Sequence, residues 1–184
     1  MVELHADYRA GRLDPVDVVN VCFDRIAELD PALNSVVTLD AQSARAVATA
    51  SAARWKAGAP RSALDGIPMT IKDNLLVGGL RAIWGSVAYA DHVPEQDEIP
   101  VDRLRRAGVV IVGKTNFPEL TLEGYTSNCL FGTTGNPWNP ALTPGGSSGG
   151  AVASVAAGFV PAAIGTDGGG SIRRARVAYG ARGV

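Results

Sequence analysis

Three observations predict an α/β domain with a largely buried sheet. Helical and strand-like segments alternate along the chain, Val109–Val112 is a continuous β-branched run, and a glycine-rich turn directly follows a strand-like segment at Gly165. The 184 residues suit one domain with a real core. A hydrophobic share of 46% against a charged share of 19% excludes a disordered tail or a charged solenoid.

Residues 15–29 read as an amphipathic helix. Asp14 is its N-cap, Pro15 takes the first helical position, and Val18, Val19, Cys22, Ile26 and Leu29 share a face. Asp40 starts a second, alanine-rich helix that runs to Ala57 and is ended by Gly58 and Pro60. Gly66–Lys72 is a short apolar run carrying one lysine, a strand that ends at a site. Pro100–Ala107 is a short helix closed by Gly108, and Val109–Val112 is a buried strand. Residues 121–144 mix Gly, Asn, Pro, Thr and aromatics without a period and form a long loop. Gly149–Ala157 is a small-residue helix, and Val160–Thr166 is a strand followed by three glycines.

Composition removes several function classes. Seventeen basic residues against 18 acidic ones leave a net charge of −1, no footprint for nucleic acid or anionic lipid. Two cysteines, Cys22 and Cys129, cannot build a disulfide framework or a four-thiolate zinc site, and two histidines cannot make HExxH. No run reaches the ~18 apolar residues of a membrane span. Met1–Asp7 lacks the basic and apolar regions of a secretory signal, and with free cysteines the expected compartment is the cytoplasm.

Two familiar patterns fail on context. Gly108-Val-Val-Ile-Val-Gly-Lys114-Thr115 matches the phosphate-loop pattern, but its four intervening residues are the strand itself, a helix precedes it, and Pro118 interrupts the stretch after Thr115. Gly146-Ser-Ser148-Gly-Gly150 matches the nucleophile elbow, yet no histidine follows Ser148 in the chain. Two glycine–serine segments remain, Pro144–Gly150 and Gly165–Arg173. The second sits at a strand end, where α/β sites collect, and its glycines before Ser171 can aim several N–H groups at one oxyanion. Lys72, at the end of an apolar strand, is poorly placed for a merely solvated charge.

Ile71-Lys72-Asp73-Asn74, Gly113-Lys-Thr-Asn116, Asn136-Pro-Trp-Asn139, Gly145–Gly150 and Gly165–Arg173 occur in that order, and together they resemble the amidase signature family from about Arg9 to Arg173. The resemblance implies a mixed, largely buried sheet flanked by helices. It implies a Ser–cis-Ser–Lys unit in which Ser171 is the acyl-forming nucleophile, Ser147 the bridging serine after a cis peptide, and Lys72 the base. The chemistry is coherent: a serine needs a neighbour to take its proton, and a lysine can take it only when burial keeps it neutral. N–H groups of Gly168, Gly169, Gly170 and Ser171 would form the oxyanion hole, with Ser148, Thr166, Asp167 and Arg173 supporting the glycine loops by hydrogen bonds. No metal and no organic cofactor is implied. The reaction would be hydrolysis of a small-molecule carboxylic amide through an acyl-enzyme, without nucleic acid or membrane as a direct partner.

The chain departs from the family at its end. Family members are far longer and continue after Ser-Ile-Arg into a proline and a Thr/Cys-Gly-Leu/Val-Val-Gly strand, whereas this chain reads Arg174-Ala-Arg-Val-Ala-Tyr-Gly-Ala-Arg-Gly-Val184. With suitable codons for Ala175–Gly183, reading one base later restores Pro-Ala-Ser-Pro-Thr-Gly-Leu-Val-Gly. The expectation is a single incomplete domain: a helical segment at 1–60, a core with the motifs at 61–173, and an aberrant, frameshifted tail at 174–184. Such a chain would be marginally stable, aggregation-prone and without amidase turnover, although its motifs are present. Three alternatives stay open. One is the glutaminase subunit of a tRNA-dependent amidotransferase, which needs partner subunits; Asn116-Phe-Pro-Glu119 leans towards the free amidases. The others are a non-catalytic remnant and a nucleotide-binding module using Gly113-Lys114-Thr115. Trp84, Tyr125, Phe131 and Trp138 are candidates for the pocket wall or for the core.

Overall fold

The computed structural model describes residues 1–179. In chain order its elements are α1 (Val2–Arg9), α2 (Pro15–Leu33), β1 (Val36–Leu39), α3 (Ala41–Lys56), β2 (Pro68–Lys72), α4 (Ile99–Ala107), β3 (Val110–Thr115), β4 (Ser127–Asn128), β5 (Gly132–Thr133), α5 (Gly149–Ala156), β6 (Ala162–Ile164) and α6 (Ser171–Tyr179), with 3₁₀ turns at Val87–Tyr89 and Glu119–Thr121. The main sheet has the order β1-β3-β2-β6. β2 is parallel to both neighbours and β1 is antiparallel to β3, so the sheet is mixed. β4 and β5 form a separate two-residue ladder inside the long loop.

Local chemistry explains most boundaries. The Asp14 carboxylate accepts from Val16 N–H at 2.8 Å and Pro15 begins α2. Asp40 does the same for α3 through Ser43 N–H, and Gly108 closes α4 at φ 92°. α2 runs past Pro31, where the sequence suggests an earlier stop, and ends at left-handed Asn34. The Asp30 carboxylate then takes Ser35 N–H, Ser35 Oγ–H and Val36 N–H, turning the chain into β1.

β1 lies within the segment expected to be purely helical. Four half-exposed residues carry too little alternation to announce a strand. β6 is shorter than Val160–Thr166. Pro161 has no N–H for the ladder, and Thr166 N–H turns away to Ser148 Oγ. α6 covers residues expected to be an aberrant tail, as far as Tyr179; Gly180–Val184 lie outside the described residues.

The two faces of the sheet hold different layers. On one, Val110 and Val112 pack with Val19, Cys22 and Phe23 of α2 and Ala44 and Ala48 of α3. The alanine stripe lets the two helices lie close to the strands. On the other, Ile71 and Ile111 pack with Val101, Leu75 and Val77 beneath α4. β3 carries a bulge: Met69 and Thr70 of β2 face Ile111 and Gly113, leaving Val112 unmatched. The bulge flips the alternation, so Lys114 joins the face of Ile111 and Thr115 the face of Val112.

Candidate active site

β2 is buried at every residue and ends at Lys72. Alternation puts Lys72 on the same face as Thr70, whose hydroxyl meets Ser154 of α5 at 2.9 Å. The amine therefore points towards the N-terminus of α5 and the loop after β6. Lys72 is fully buried, with the Phe117 ring centroid 5.6 Å from its Nζ.

The segment before α5 is set by close backbone contacts. A Cβ on Gly146 would sit 2.6 Å from Tyr125 O, and one on Gly150 would sit 2.5 Å from Asn116 O and 2.8 Å from Ser35 O. Only glycine permits this approach. The Gly146–Ser147 peptide is cis. Thr126 Oγ1 donates to Gly145 O at 2.9 Å and ties the turn down.

The three residues singled out from the sequence as base, bridge and nucleophile meet here. Lys72 Nζ donates to Ser147 Oγ at 2.7 Å, and Ser147 Oγ donates to Ser171 Oγ at 2.9 Å. Lys72 Nζ also donates to Ser148 Oγ and to Thr166 Oγ1, each at 3.0 Å. Ser148 spends its own proton on Thr166 O at 2.8 Å, so towards Lys72 it is an acceptor only. Burial pulls the Lys72 amine down from an ordinary lysine value to about 8, against the opposing charge of Asp167.

Asp167 organises the loop after β6. Arg173 donates to its carboxylate through Nε at 3.0 Å and Nη2 at 2.9 Å, and the N–H groups of Gly170, Ile172 and Arg173 donate as well. The Arg173 guanidinium first, and then these N–H groups, hold the Asp167 carboxyl well below the usual carboxylate range. One expected oxyanion donor is thereby corrected: the Gly170 N–H is bound to Asp167 Oδ1 at 2.6 Å and faces inward. Among the described residues none accepts from the N–H of Gly168, Gly169 or Ser171, and Gly168 and Gly169 are exposed.

Some site residues were invisible in the sequence. Asn74 Nδ2 donates to Thr166 Oγ1 at 3.3 Å, and Phe117 walls the amine; neither carries a local signal beyond its place in a motif. The four aromatic candidates fare differently. A cavity of about 440 Å³ beside the site is walled by Met69, Ala151, Val155, Ile164 and Ile172 and reaches Ser148 and Gly165, and none of Trp84, Tyr125, Phe131 and Trp138 lines it. Trp138 is 73% exposed and Tyr125 49%, the latter packing its backbone against Gly146.

The phosphate-loop alternative falls on geometry. Val110–Thr115 is strand, and Lys114 is fully buried against Asp73, 3.2 Å from Oδ1, with no path to a phosphate. Among the described residues no helix is long and apolar enough to cross a membrane, and no group of three or more His, Cys, Asp or Glu residues could hold a metal ion.

Comparison with known proteins bears on the family of the chain. The chain is 42% identical over 174 residues to a Glutamyl-tRNA(Gln) amidotransferase subunit from Roseiflexus sp. (strain RS-1), covering 95% of this chain and 36% of that protein. Its fold matches a bacterial aryl acylamidase of the amidase signature enzymes with a TM-score of 0.88 at 36% identity, covering 94% of this chain and 36% of that one. It matches the native peptide amidase of Stenotrophomonas maltophilia with a TM-score of 0.87 at 34% identity, covering 95% and 37%. The chain spans little more than a third of the length of these relatives. The amidase family profile matches residues 17–174, from within α2 through Lys72, Ser147 and Ser171 to the first turn of α6, and the chain belongs to the amidase signature family.

Proposed function

We propose that this chain carries the reacting unit of an amide hydrolase that works through a seryl acyl-enzyme. The observation that carries the reading is the unbroken heavy-atom path from Lys72 Nζ through Ser147 Oγ to Ser171 Oγ, at 2.7 and 2.9 Å. Hydroxyls both donate and accept, so the path serves proton flow in either direction. A neutral Lys72 gives its two N–H bonds to Ser148, which can only accept, and to Thr166, already held by Asn74. Its lone pair is left facing Ser147. Ser148 and Thr166 thus orient the base.

In the proposed reaction Ser171 Oγ attacks the amide carbonyl carbon. Its proton passes to Ser147, and that of Ser147 passes to Lys72. The carbonyl oxygen, now negative, is met by N–H groups of Gly168, Gly169 and Ser171, while Gly170 supports the loop through Asp167. Lys72 returns a proton by the same path to the leaving nitrogen, the C–N bond breaks, and an acyl-Ser171 ester remains. Water activated by the same relay then releases the acid and frees Ser171. The substrate is a small carboxylic amide and the compartment the cytoplasm, with 61–173 as the segment bearing the motifs. The family profile's match stops at residue 174; nucleotide sequence reading an amidase continuation in the adjacent frame would support the frameshifted-tail reading, and its absence would end it.

A fluorophosphonate probe tests the reading. Labelling of the chain that is lost in Ser171→Ala and in Lys72→Ala supports it, and a wild-type chain that takes no label refutes it. A second reading is favoured by the relatives' names: many are amidotransferase subunits. On that reading the amide is that of glutamine, and turnover appears only when partner subunits are added.

A further inference from the structure

A second buried lysine lies one strand away from the site. Lys114 of β3 is paired in register with Ile71, and the bulge at Val112 sends its side chain to the opposite face of the sheet from Lys72. There its Nζ lies 3.2 Å from Asp73 Oδ1 and donates to two backbone carbonyls, Arg81 O at 3.2 Å and Asp73 O at 3.3 Å. Asp73 Oδ1 has no aligned hydrogen bond, so its contact with Lys114 is a charge contact. Asp73 Oδ2 accepts from Ile83 N–H at 2.9 Å. Lys114 is 0% exposed and Asp73 1%.

Asp73 is the residue after Lys72, and the surrounding bonds leave this stretch of backbone little room. Asp73 N–H donates to Thr115 O at 3.2 Å, Lys72 O accepts from Leu75 N–H at 3.0 Å, and Asp73 O is held by Lys114. A buried ion pair is a poor device for stability alone, since apolar residues of similar volume often serve as well or better. Its use here is directional: one ammonium grips the end of β2 and the 74–83 loop at the same point.

We propose that Lys114 and Asp73 are positioning residues for the Lys72 amine, acting on the end of β2 from the sheet face opposite the serines. The proposal rests on the reading of Lys72 as the base. The groups facing Lys72 on its own side are the hydroxyls of Ser147, Ser148, Thr166 and Ser171, the Phe117 ring, and the charged pair Asp167–Arg173; Asp73 and Lys114 lie across the sheet.

The chain has three lysines, Lys56, Lys72 and Lys114, so ε-¹³C-lysine labelling of the whole chain yields three NMR signals, assigned by single replacements. The Lys72 signal is titrated in wild type and in Asp73→Leu/Lys114→Met, which exchanges the pair for apolar residues without stranding a charge. Its midpoint is expected to rise by about one pH unit as the amine loses its dry seat, and Ser171 labelling at pH 7 to fall about tenfold. Lys114→Arg is the second variant. It keeps a positive charge beside Asp73 but cannot place a single ammonium between two carbonyls; it decides the matter if the double variant does not fold. A Lys72 signal and midpoint unchanged from wild type in a cooperatively folded variant overturn the proposal, whatever happens to the unfolding temperature. The spectrum does not depend on turnover. A wild-type chain whose Ser171 takes no label, but whose Lys72 signal still responds to the pair, sinks the hydrolase reading and leaves the positioning role standing.

Discussion

The sharpest consequence of the buried amine is a pH profile. Lys72 sits at about 8 in place of an ordinary lysine value near 10.5, chiefly because it is removed from water. With that value about a tenth of the amines are neutral at pH 7, about half at pH 8 and about nine tenths at pH 9. An ordinary lysine would be neutral in only about 0.03% of molecules at pH 7, roughly 300-fold less. The perturbation is pH itself, and the assay is the second-order rate of fluorophosphonate labelling of Ser171 from pH 6 to 10. The rate is expected to climb about tenfold between pH 6 and 7, to pass half-maximum near 8, and to flatten above 9. Lys72→Arg removes the base and with it the inflection. A rate that keeps climbing tenfold per pH unit through pH 9 would show that the amine is not desolvated, and the relay would lose its base.

The remaining predictions test packing and linkage. Gly150→Ala drives a Cβ into the backbone of Asn116 and Ser35, neither of which can rotate aside; denaturant unfolding should show a loss of about 3 kcal/mol, and a loss below about 0.5 kcal/mol would mean the segment is looser than described. Arg54→Ala leaves the Asp65 carboxylate, whose side chain is 0% exposed, without the guanidinium that grips it at 2.7 Å; the cost should be about 3 kcal/mol at pH 7 and little should remain of it in the double variant with Asp65→Leu. Ile71→Ala empties a wholly buried position between β3 and β6, and about 3 kcal/mol should be lost. Because the folded value of Lys72 lies below the unfolded one, its penalty on stability is present in full below pH 8 and is relieved as pH rises from about 8 to 10.5, by about 3 kcal/mol. Burial pushes the Cys22 thiol up to about 12 and the Tyr8 hydroxyl up too, which opposes that slope, so the measurement is the difference between wild type and Lys72→Met across the window.

Legibility followed the reach of the signal. Asp14 with Pro15, Asp40, and Gly108 each act on the turn beside them, and the helices they bound are where the sequence puts them. β2 and β3 announce themselves by short apolar runs that each end in a lysine, and both are buried throughout. β1 is four partly exposed residues whose partner lies some 75 positions away, and no local pattern encodes that pairing. α1 buries only Tyr8 and so needs no apolar stripe. At the site, the family motifs name Lys72, Ser147 and Ser171, but their order along one path, and the loss of the Gly170 N–H to Asp167, depend on loops separated by 75 and 24 residues.

The two lysines show where sequence reasoning reaches its limit. Ile71-Lys72 and Val112-Gly-Lys114 have the same texture, an apolar strand ending in one cation, and burial lowers the proton affinity of both amines. What separates them is the face of the sheet. One extra residue in β3 sends Lys114 to a carboxylate and two carbonyls, partners that hold an ammonium in its charged form. Lys72 meets three hydroxyls and an aromatic ring, partners that tolerate the neutral amine, and the opposing charge that acts on it, Asp167, is already engaged by Arg173. Deleting Val112 would remove the bulge yet leave Lys114 opposite Ile71, on the face of Asp73, at the cost of one core side chain. A folded deletion variant should therefore keep the Lys72 midpoint of wild type. A midpoint that moves by a pH unit would show that the bulge itself, and not the face of the sheet, separates the two lysines.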